Sequence, residues 1–421
     1  MTVKALIQLI EMMMTRKEMF KYHLRVRALT MIAIGCLFFS CSEEETSLTD
    51  SFFKIYDDSD FDLSYDPIDV LGVSNGYIVL SGTECSDTDF DGILMIKIDQ
   101  EGNYSFSEEA AFSDFEAPVG DMYFDASDSS IYFFAKTKGN IDAVLISINT
   151  SLAIQNTTIL GGLNYPLSAS ATSDNTLLLQ SYDPIGLQTQ ISKISLEGGF
   201  EDGGLYSIGA GDDVEEEIID HFLEATNHPL PFFCGEFSPG NYYFNGFYNF
   251  SLSLVFTDFG ESPNGVVQGQ STNAGIRSAM VLSGSDFALS GFQFDDNYQL
   301  SSTTLSTGGI TSSADLYTGN MSELKPYTAA KIFSYATNGN TYTVFTSETK
   351  GNQIVLHFYN TTTGGIEGVH YIGYLNPYTF SSAKVTEDES ILILGTTFVA
   401  GRFQRIILNK ISKSEIKDVI N

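Results

Sequence analysis

The sequence contains no tryptophan and only four cysteines among its 421 residues. Small secreted domains without an adequate core depend on several disulfides, so a chain with this few cysteines must fold on its own apolar core. The absence of tryptophan argues against a sugar-binding platform without excluding one, because tyrosine and phenylalanine also stack on sugars. The phosphate-cradling glycine loop is missing as well, and the one Gly-x-Ser-x-Gly run, residues 72–76, lies directly before a strand-like run and not at the strand-to-helix turn of a nucleophile elbow. We therefore name no catalytic residue and no cofactor, and enzymatic activity stays an open question.

Basic side chains are scarce. The chain has 21 Lys or Arg against 53 Asp or Glu, a formal net charge of -32 at pH 7. Six of the basic and two of the acidic residues precede Cys41, which leaves 15 basic and 51 acidic residues and a net charge near -36 for the remainder. Such a charge keeps a surface protein soluble and repels nucleic acid and anionic lipid headgroups. We predict no nucleic-acid partner.

The first forty residues have the charge order of a secretory signal. A basic segment over residues 21–27 is followed by the apolar run 28–40, which ends directly before Cys41. That run is too short to span a bilayer comfortably. We predict a lipoprotein signal over residues 1–40, with Cys41 as the lipid-bearing first residue of the mature protein. Because secretory signals usually measure about 15 to 30 residues, translation is expected to start at Met19.

Two alternatives to this processing stay open. Cys36 also follows a small residue, Gly35, but lipidation there would leave the apolar residues 37–39 at the mature N-terminus. The second alternative is an uncleaved membrane anchor that ends near Ser40. Each of the three arrangements places the rest of the chain outside the cytoplasm.

A short polar run follows the lipidation site. Its first residues are Ser42, Glu43, Glu44 and Glu45. The run resembles the lipoprotein export signal of Bacteroidota, which sends lipoproteins to the outer face of the outer membrane. The resemblance implies a lipid-anchored protein exposed at the cell surface, with residues 41–50 as an acidic tether. The periplasmic face is the alternative location, because acidic tethers are also simply soluble spacers.

A hydrophobic run that ends in a small or turn-prone residue recurs seven times along the chain. The seven runs are 77–82, 131–136, 176–181, 232–235, 287–291, 343–347 and 391–395. Their ends are 45 to 56 residues apart, which is the period expected for the blades of a β-propeller. A second strand-like run follows each of them, rich in β-branched and aromatic residues. We predict an all-β fold, a seven-bladed β-propeller over residues 51–421.

A propeller must join the two ends of its chain. The run 51–57 precedes the first full unit and has the pattern of an outermost strand, whereas the last unit supplies residues 391–412 as inner strands. We predict that residues 51–57 pair beside the last blade, which closes the ring and covers a strand edge. The one helical pattern after the signal, residues 213–225, is expected to be a loop insertion.

The first unit contains three motifs in a fixed order. They are Phe-Lys-Ile-Tyr at 53–56, Gly-Tyr-Ile-Val-Leu-Ser-Gly-Thr at 76–83, and the run 91–99 with Ile-Lys-Ile-Asp at its end, followed by Gly102 and Asn103. This order resembles the degenerate repeat lipoproteins of Bacteroidota, whose units contain Gly-Tyr-Ile and Ile-Lys-x-Asp runs. The resemblance implies a β-propeller. Later units lose the Lys, the second Asp and often the Gly, so no shared ligand is implied.

The aspartates before Gly92 form a calcium candidate. Asp87, Asp89 and Asp91 alternate ahead of a glycine, a pattern that can wrap oxygen ligands around calcium. The twelfth position of an EF-hand loop needs a bidentate Glu, and this chain has Ile98 there. We therefore predict an ordinary acidic turn without metal, with calcium at the three aspartates as the alternative.

Two further groups attract attention. The densest later acidic cluster consists of Asp212, Asp213, Glu215, Glu216, Glu217 and Asp220. A solvated face is the usual role of such a run, and the alternative is docking of a partner or a cation; the spacing of His221 and His228 beside it matches no zinc motif.

A loop-like aromatic cluster either contacts a ligand or fills the space between blades. Its members are Tyr242, Tyr243, Phe244, Phe247, Tyr248 and Phe250.

Only two cysteines follow the signal. Cys85 and Cys234 belong to the first and fourth units, which a seven-bladed ring holds too far apart for a disulfide. We predict that both are packed or incidental thiols.

Together these features predict a surface lipoprotein whose propeller is a binding or scaffolding module. The expected partner is an outer-membrane protein complex, such as the β-barrel of a TonB-dependent transporter with this chain as its accessory subunit. The alternative is a glycan-binding or glycan-active propeller. Among 51 acidic residues a suitably spaced carboxylate pair exists by chance, so the sequence selects no catalytic pair for such an activity. A fold alone does not decide between them.

Overall fold

The computed structural model describes residues 51–56, 63–85, 88–209, 212–223, 230–374, 376–398 and 403–420. The predicted signal, Cys41 with the polar run that follows it, and Asp87 lie outside the described residues. The side chains of Cys85, Asp89 and Asp91 lie outside them too, although all three residues belong to described strands. Among the described residues, no helix combines the length and apolar character that crossing a membrane requires.

Strands dominate the described chain. They are β1 (Phe52–Tyr56), β2 (Leu63–Val73), β3 (Gly76–Cys85), β4 (Thr88–Ile98), β5 (Tyr104–Glu108), β6 (Phe115–Asp125), β7 (Ser130–Thr137), β8 (Asp142–Asn149), β9 (Ile154–Asn164), β10 (Pro166–Ala171), β11 (Leu177–Asp183), β12 (Gln188–Ile194), β13 (Phe200–Ser207), β14 (Phe233–Ser238), β15 (Asn241–Tyr248), β16 (Ser251–Thr257), β17 (Gly265–Gln268), β18 (Ala274–Ser283), β19 (Asp286–Gln293), β20 (Asp296–Thr304), β21 (Gly309–Ser312), β22 (Lys331–Thr337), β23 (Asn340–Glu348), β24 (Ile354–Asn360), β25 (Ile366–Ile372), β26 (Tyr378–Val385), β27 (Ile391–Phe398) and β28 (Gln404–Ile411). The α-helices are α1 (Asp212–Leu223) and α2 (Lys413–Ile420), and 3-10 turns cover Ala110–Phe112 and Ser313–Leu316.

The strands form seven sheets, and each sheet corresponds to one predicted unit. From the first blade to the seventh, the strand orders from the innermost strand outwards are β2-β3-β4-β5, β6-β7-β8-β9, β10-β11-β12-β13, β14-β15-β16-β17-β21, β18-β19-β20, β22-β23-β24-β25 and β26-β27-β28-β1. Each innermost strand contacts the innermost strand of the next blade, and β26 contacts β2. The ring is therefore closed, and the predicted all-β, seven-bladed propeller is confirmed.

The apolar core is divided into layers between neighbouring blades. Successive side chains of a strand point to opposite faces of the sheet, so every blade has two apolar faces. In β3, Ile78 and Leu80 pack against the second blade, whereas Tyr77 and Val79 pack against the seventh. Equivalent clusters lie between the other pairs of neighbours. Each blade is thus stabilised from both sides.

Pairing of β1 with β28 closes the ring. The two strands are antiparallel, with Phe52 opposite Lys410 and Tyr56 opposite Ile406. The Ser51 hydroxyl accepts a hydrogen bond from the backbone N–H of Ser412 at 2.9 Å. The predicted closure by residues 51–57 is confirmed for its described part, and β1 is the outermost strand of the seventh blade as expected.

The assignment of strands in the fourth unit was wrong by one strand. Residues 232–235 were aligned with six runs that all fall on the second strand of their blade, but they enter β14, the innermost one. The second strand is β15, which contains most of the aromatic cluster expected to be a loop. Both stretches are aromatic and end near a glycine, so the pattern did not distinguish them. Four cluster members are buried between blades, as the packing interpretation predicted: Tyr242, Tyr243, Phe244 and Phe247.

A Lys-Ile pair on the third strand recurs in three blades, and its lysine has a structural partner. In the first, third and seventh blades, this lysine on the third strand donates to a side chain in the turn between the first two strands. The pairs are Lys97 with Asn75 at 2.7 Å, Lys193 with Asp174 at 2.6 Å, and Lys410 with Asp388 at 2.6 Å. The motif therefore fastens a hairpin turn to its own blade, which explains its recurrence without a ligand.

These turn contacts predict loss of stability in acid. Hydrogen bonding to Lys193 lowers the pKa of Asp174 to about 2. Burial alone would raise the pKa of Asp388, but its interaction with Lys410 outweighs burial and lowers that pKa to about 2. A carboxyl pKa depressed on folding stabilises the protein above the ordinary value near 4, and this contribution disappears as the pH falls towards 2. Because both side chains are about half exposed, we expect only about 0.5 to 1 kcal/mol from each. Urea unfolding at pH 7 and pH 3 measures the loss.

The double variant Asp174→Asn with Asp388→Asn is the control for that measurement. It removes both depressed carboxyls, so its free energy of unfolding should change less between pH 7 and pH 3 than that of the wild type. An unchanged pH dependence in the double variant would contradict the assignment.

Candidate functional site

Antiparallel pairing places the turns of the propeller on two opposite faces. In each blade the first strand begins on the face where the preceding blade ends. The second strand runs back to that face, so the turn between the second and third strands lies there too. Helix α1 occupies one such connection, between β13 and β14, so we name this side the helix face. β1 begins on the opposite side, where α2 follows β28, and we name that side the terminal face.

Helix α1 is amphipathic and lies on several blades. Val214 and Ile218 are four residues apart, so they share one side of the helix. Both are buried against Ala117, Leu167 and Phe247, which belong to the second, third and fourth blades. The helix also contacts β4 of the first blade. The helical insertion expected over residues 213–225 is therefore confirmed for its described part, residues 213–223, which packs across the helix-face end of the ring.

The acidic side of α1 is only partly engaged. The Tyr182 hydroxyl donates to Glu215 at 2.9 Å, while Glu216 and Glu217 are exposed and Asp220 is half-buried. Burial first, and then the charges of Asp220 and Glu216, raise the pKa of Glu217. The side chains of Asp212, Asp213, His221 and His228 lie outside the described residues. Within the described part of the chain, no three His, Cys, Asp or Glu side chains are grouped so as to hold a metal ion.

Four large apolar side chains project from loops on the helix face. They are Ile185, Phe250, Phe294 and Tyr374, with exposed fractions of 92%, 52%, 56% and 90%. The first three lie in turns between second and third strands, and Tyr374 lies in the connection from the sixth blade to the seventh. We call them the apolar tips. Only Phe250 among them belongs to a group identified from the sequence. The sequence feature that could have identified the tips between second and third strands is an apolar residue inside a turn between two strand-like runs.

The third to fifth blades, residues 166–312, have very few cations. This stretch contains 18 acidic residues but only Lys193 and Arg277 as basic ones. Lys193 is paired with Asp174 and Glu201, and Arg277 is buried, where it donates to the carbonyl of Thr328. Three of the four apolar tips therefore project from a sector that is strongly negative and has no free cation among its described residues.

Ionic groups also meet in the centre of the ring. Fully buried Asp69 on β2 accepts from the backbone N–H of Met122 at 2.9 Å and from the Ser382 hydroxyl at 2.7 Å, and pairs with Lys384 at 3.1 Å. Asp121 on β6 pairs with Lys331 on β22 at 2.6 Å. We call these groups the channel cluster.

The channel cluster connects blades that are not neighbours. The Asp121–Lys331 pair joins the second blade to the sixth, and Lys384 of the seventh blade lies 3.8 Å from Asp121. Burial alone would raise the pKa of Asp121, but Lys331 and Lys384 lower it to about 2. The carboxylates and ammonium groups are paired with one another. The cluster therefore stabilises the contact between blades and offers no unpaired acid or base.

Cys234 is a buried free thiol. Its sulfur lies 3.8 Å from the Ser170 hydroxyl and from the carbonyls of Ser168 and Leu178. Burial, opposed by hydrogen bonds of Ser168, Ser170 and Gln180, raises the pKa of the thiol to about 11. A thiol that stays protonated at neutral pH is a poor nucleophile, so Cys234 has the properties of a packed residue.

The strand order and the closed ring define a seven-bladed β-propeller. No protein-family model matches the chain, and no curated protein matches it either. Among solved structures, the chain is similar to the β-propeller domain of the Trilobed protease from Pyrococcus furiosus, which has an open velcro topology (9% identity, TM-score 0.44, covering 82% of this chain and 93% of that one).

This chain is also similar to a protein of unknown function from Bacteroides caccae, at 10% identity and a TM-score of 0.35, covering 76% of this chain and 82% of that one. A third similarity is to a chain of a nidogen–laminin complex, at 10% identity and a TM-score of 0.32, covering 67% of this chain and 90% of that one. All three TM-scores lie below 0.5, so the assignment of the fold rests on the strand pairing of this chain itself.

The channel cluster predicts unequal effects for its two lysines. Lys384→Met leaves the fully buried carboxylate of Asp69 without a cation and should lower the free energy of unfolding by about 3 kcal/mol. Lys331→Met is the matched control, because the Asp121 side chain is 42% exposed within the ring and keeps Lys384 at 3.8 Å, so we expect a smaller loss, of about 1 kcal/mol. Urea unfolding of the two variants checks this, and equal losses would contradict a burial-dependent role.

Proposed function

We propose that this protein is a binding module that docks a protein partner through its helix face. The observation that carries the proposal is the set of four apolar tips, each more than half exposed and all on one face. Exposed apolar surface marks sites of protein–protein contact, and these four side chains share one face of the ring. A rigid ring that holds them on short turns limits the entropy lost on docking.

The acidic sector around three of the tips specifies the partner further. A surface with 18 acidic and two basic residues over residues 166–312 attracts a partner whose docking surface is basic around an apolar centre. The same charge should accelerate association at low salt. The partner is therefore a protein with apolar pockets bordered by Lys or Arg.

The location of the protein is the second part of the proposal. We infer a lipid anchor at Cys41 that holds the propeller at the outer membrane, exposed at the cell surface, as an accessory subunit of an outer-membrane β-barrel complex such as a TonB-dependent transporter. Support comes from the signal-like sequence and from the polar run Ser42 to Glu45. The first described residues of the propeller, at the start of β1, lie on the terminal face.

The glycan-binding alternative has lost its main support. Its aromatic cluster is largely buried in β15, where the rings fill the space between blades. The ionic groups of the channel cluster are paired with one another. We therefore propose protein docking rather than sugar chemistry.

Removing the apolar tips should abolish docking without unfolding the ring. The test variant combines Phe250→Ser, Phe294→Ser and Tyr374→Ser. The matched control makes the same kind of change at exposed residues of outer strands: Tyr104→Ser, Ile159→Ser and Phe200→Ser. Affinity capture from solubilised membranes of the native organism should recover the same partner with the wild type and the control. We expect at least about tenfold less with the test variant, because contacts of this kind dominate binding energy. No reproducible partner of the wild type, or equal recovery with all three proteins, would refute the proposal.

The anchor is tested separately on intact cells. Protease added to unlysed cells should degrade the wild-type protein if it is displayed at the surface. Cys41→Ala should release the protein from the membrane fraction, because stable attachment depends on the lipid. Protection of the wild type until lysis would place the propeller in the periplasm, and an unchanged membrane fraction for Cys41→Ala would exclude lipidation at that residue.

A further inference from the structure

The fifth blade lacks a fourth strand. Its sheet contains only β18, β19 and β20, whereas every other blade has at least four strands in the described part of the chain. The next strand along the sequence, β21, leaves the fifth blade and pairs in parallel with β17 of the fourth, with Gly265 opposite Gly309 and Gln268 opposite Ser312. The outer side of β20 is consequently the edge of an incomplete blade.

The first half of this edge is covered by the chain itself. The backbone N–H of Met321 donates to the carbonyl of Asn297 at 3.1 Å. The amide side chain of Asn320 accepts from the backbone N–H of Gln299 at 3.2 Å and donates to its carbonyl at 3.3 Å. A side chain thus replaces the backbone of a neighbouring strand over this half of β20.

The second half of the edge, residues 300–304, has no such cover. The backbone N–H of Leu305 donates to the carbonyl of Ser285 beside β19 at 2.9 Å. Amide directions alternate along a strand, so the N–H of Thr304 points away from β19. No strand among the described residues pairs with this side of β20. The Ser301 hydroxyl donates to the carbonyl of Gly364 at 3.4 Å, so a turn of the sixth blade borders the open segment.

The open segment lacks two of the devices that protect strand edges, charged side chains and proline. Natural edges are commonly guarded by charged side chains, especially lysine, by proline or by a bulge that turns the strand away. Residues 301–304 read Ser-Ser-Thr-Thr, with neither charge nor proline. Ser302 and Thr304 are exposed. The register shift between Leu300 and Thr303 lies inside the segment, and Thr303 and Thr304 pair regularly again with β19, so the regular part of the open edge is its end.

The charges around the open segment favour a basic partner over a second copy of this chain. Residues 278–324 contain no Lys or Arg and five acidic residues, namely Asp286, Asp295, Asp296, Asp315 and Glu323. A second copy of this chain would bring its own net charge near -36 against the same acidic surroundings. An extended segment flanked by Lys or Arg would instead be attracted.

We propose that the open edge of β20 accepts an extended, Lys- or Arg-bearing segment of a partner protein as the fourth strand of the fifth blade. Main-chain hydrogen bonds from residues 300–304 hold the segment, as in other cases of strand addition, and the flanking acidic residues favour its basic ends. The site lies on the rim of the ring and is separate from the apolar tips, so its test does not depend on docking at the helix face.

Two peptides test the proposal directly. The first is a blocked heptapeptide with the sequence Lys-Thr-Val-Thr-Val-Thr-Lys, and the second has Glu at both ends. Fluorescence anisotropy measures their binding to the mature protein up to about 1 mM, the weak end of specific affinities. Hydrogen exchange with mass spectrometry locates the contact. We expect the Lys-flanked peptide to bind on the order of tenfold more tightly than the Glu-flanked one, and to slow exchange at residues 300–305.

Three substitutions keep the test specific. Ser302→Lys guards the edge and repels the basic peptide, so its affinity should fall on the order of tenfold. Thr157→Lys places the same charge on an exposed position of β9, the outermost strand of a complete blade, and should leave binding unchanged. Thr304→Pro removes the outward N–H and should also weaken binding.

Three results would overturn the proposal. One is absence of binding by the Lys-flanked peptide; another is equal weakening by Ser302→Lys and Thr157→Lys, which would indicate attraction by charge alone. The third is slowed exchange at β5, β9 or β13 without any change at residues 300–305.

Discussion

Closure of the ring by β1 is the constraint on which the rest of the structure depends. The apolar core lies in layers between blades, so each blade needs neighbours on both sides. Pairing of Phe52–Tyr56 with β28 joins the two ends of the chain and supplies the outermost strand of the seventh blade. Without that strand, the first and seventh blades would be held together only by their side-chain contacts. The Ser51–Ser412 hydrogen bond fixes the start of this closing strand.

The ionic groups of the channel cluster and the recurring lysines hold the ring together. The channel cluster joins the second blade to the sixth and the first to the seventh. The repeated lysines fasten turns to their own blades. Groups of this kind, taken from the sequence alone, resemble acids and bases of an active site. In the structure they neutralise one another, so the unengaged chemistry lies on the outside, in the apolar tips and in the open edge of β20.

The two proposed contact regions share an electrostatic setting. The third to fifth blades contain almost no cations, and both Phe294 and the open segment of β20 belong to the fifth blade. The departures from regular blade geometry concentrate in this sector: an inserted helix, a strand displaced to the preceding blade and a loop that covers half an edge. The regular blades provide a rigid frame, and the irregular ones provide surfaces available for contact.

The sequence by itself determined the fold class, the number of blades and the closing strand, because a period near 50 residues and alternating strand patterns are local signals. It failed in the fourth unit, where two successive aromatic strands have the same pattern. Only the tertiary structure decided the channel cluster, since Asp69 and Lys384 are 315 positions apart in the sequence and meet through ring closure. It alone also decided which turn residues are exposed and that the fifth blade has three strands, because both depend on packing between blades and on the path of β21 to its neighbour.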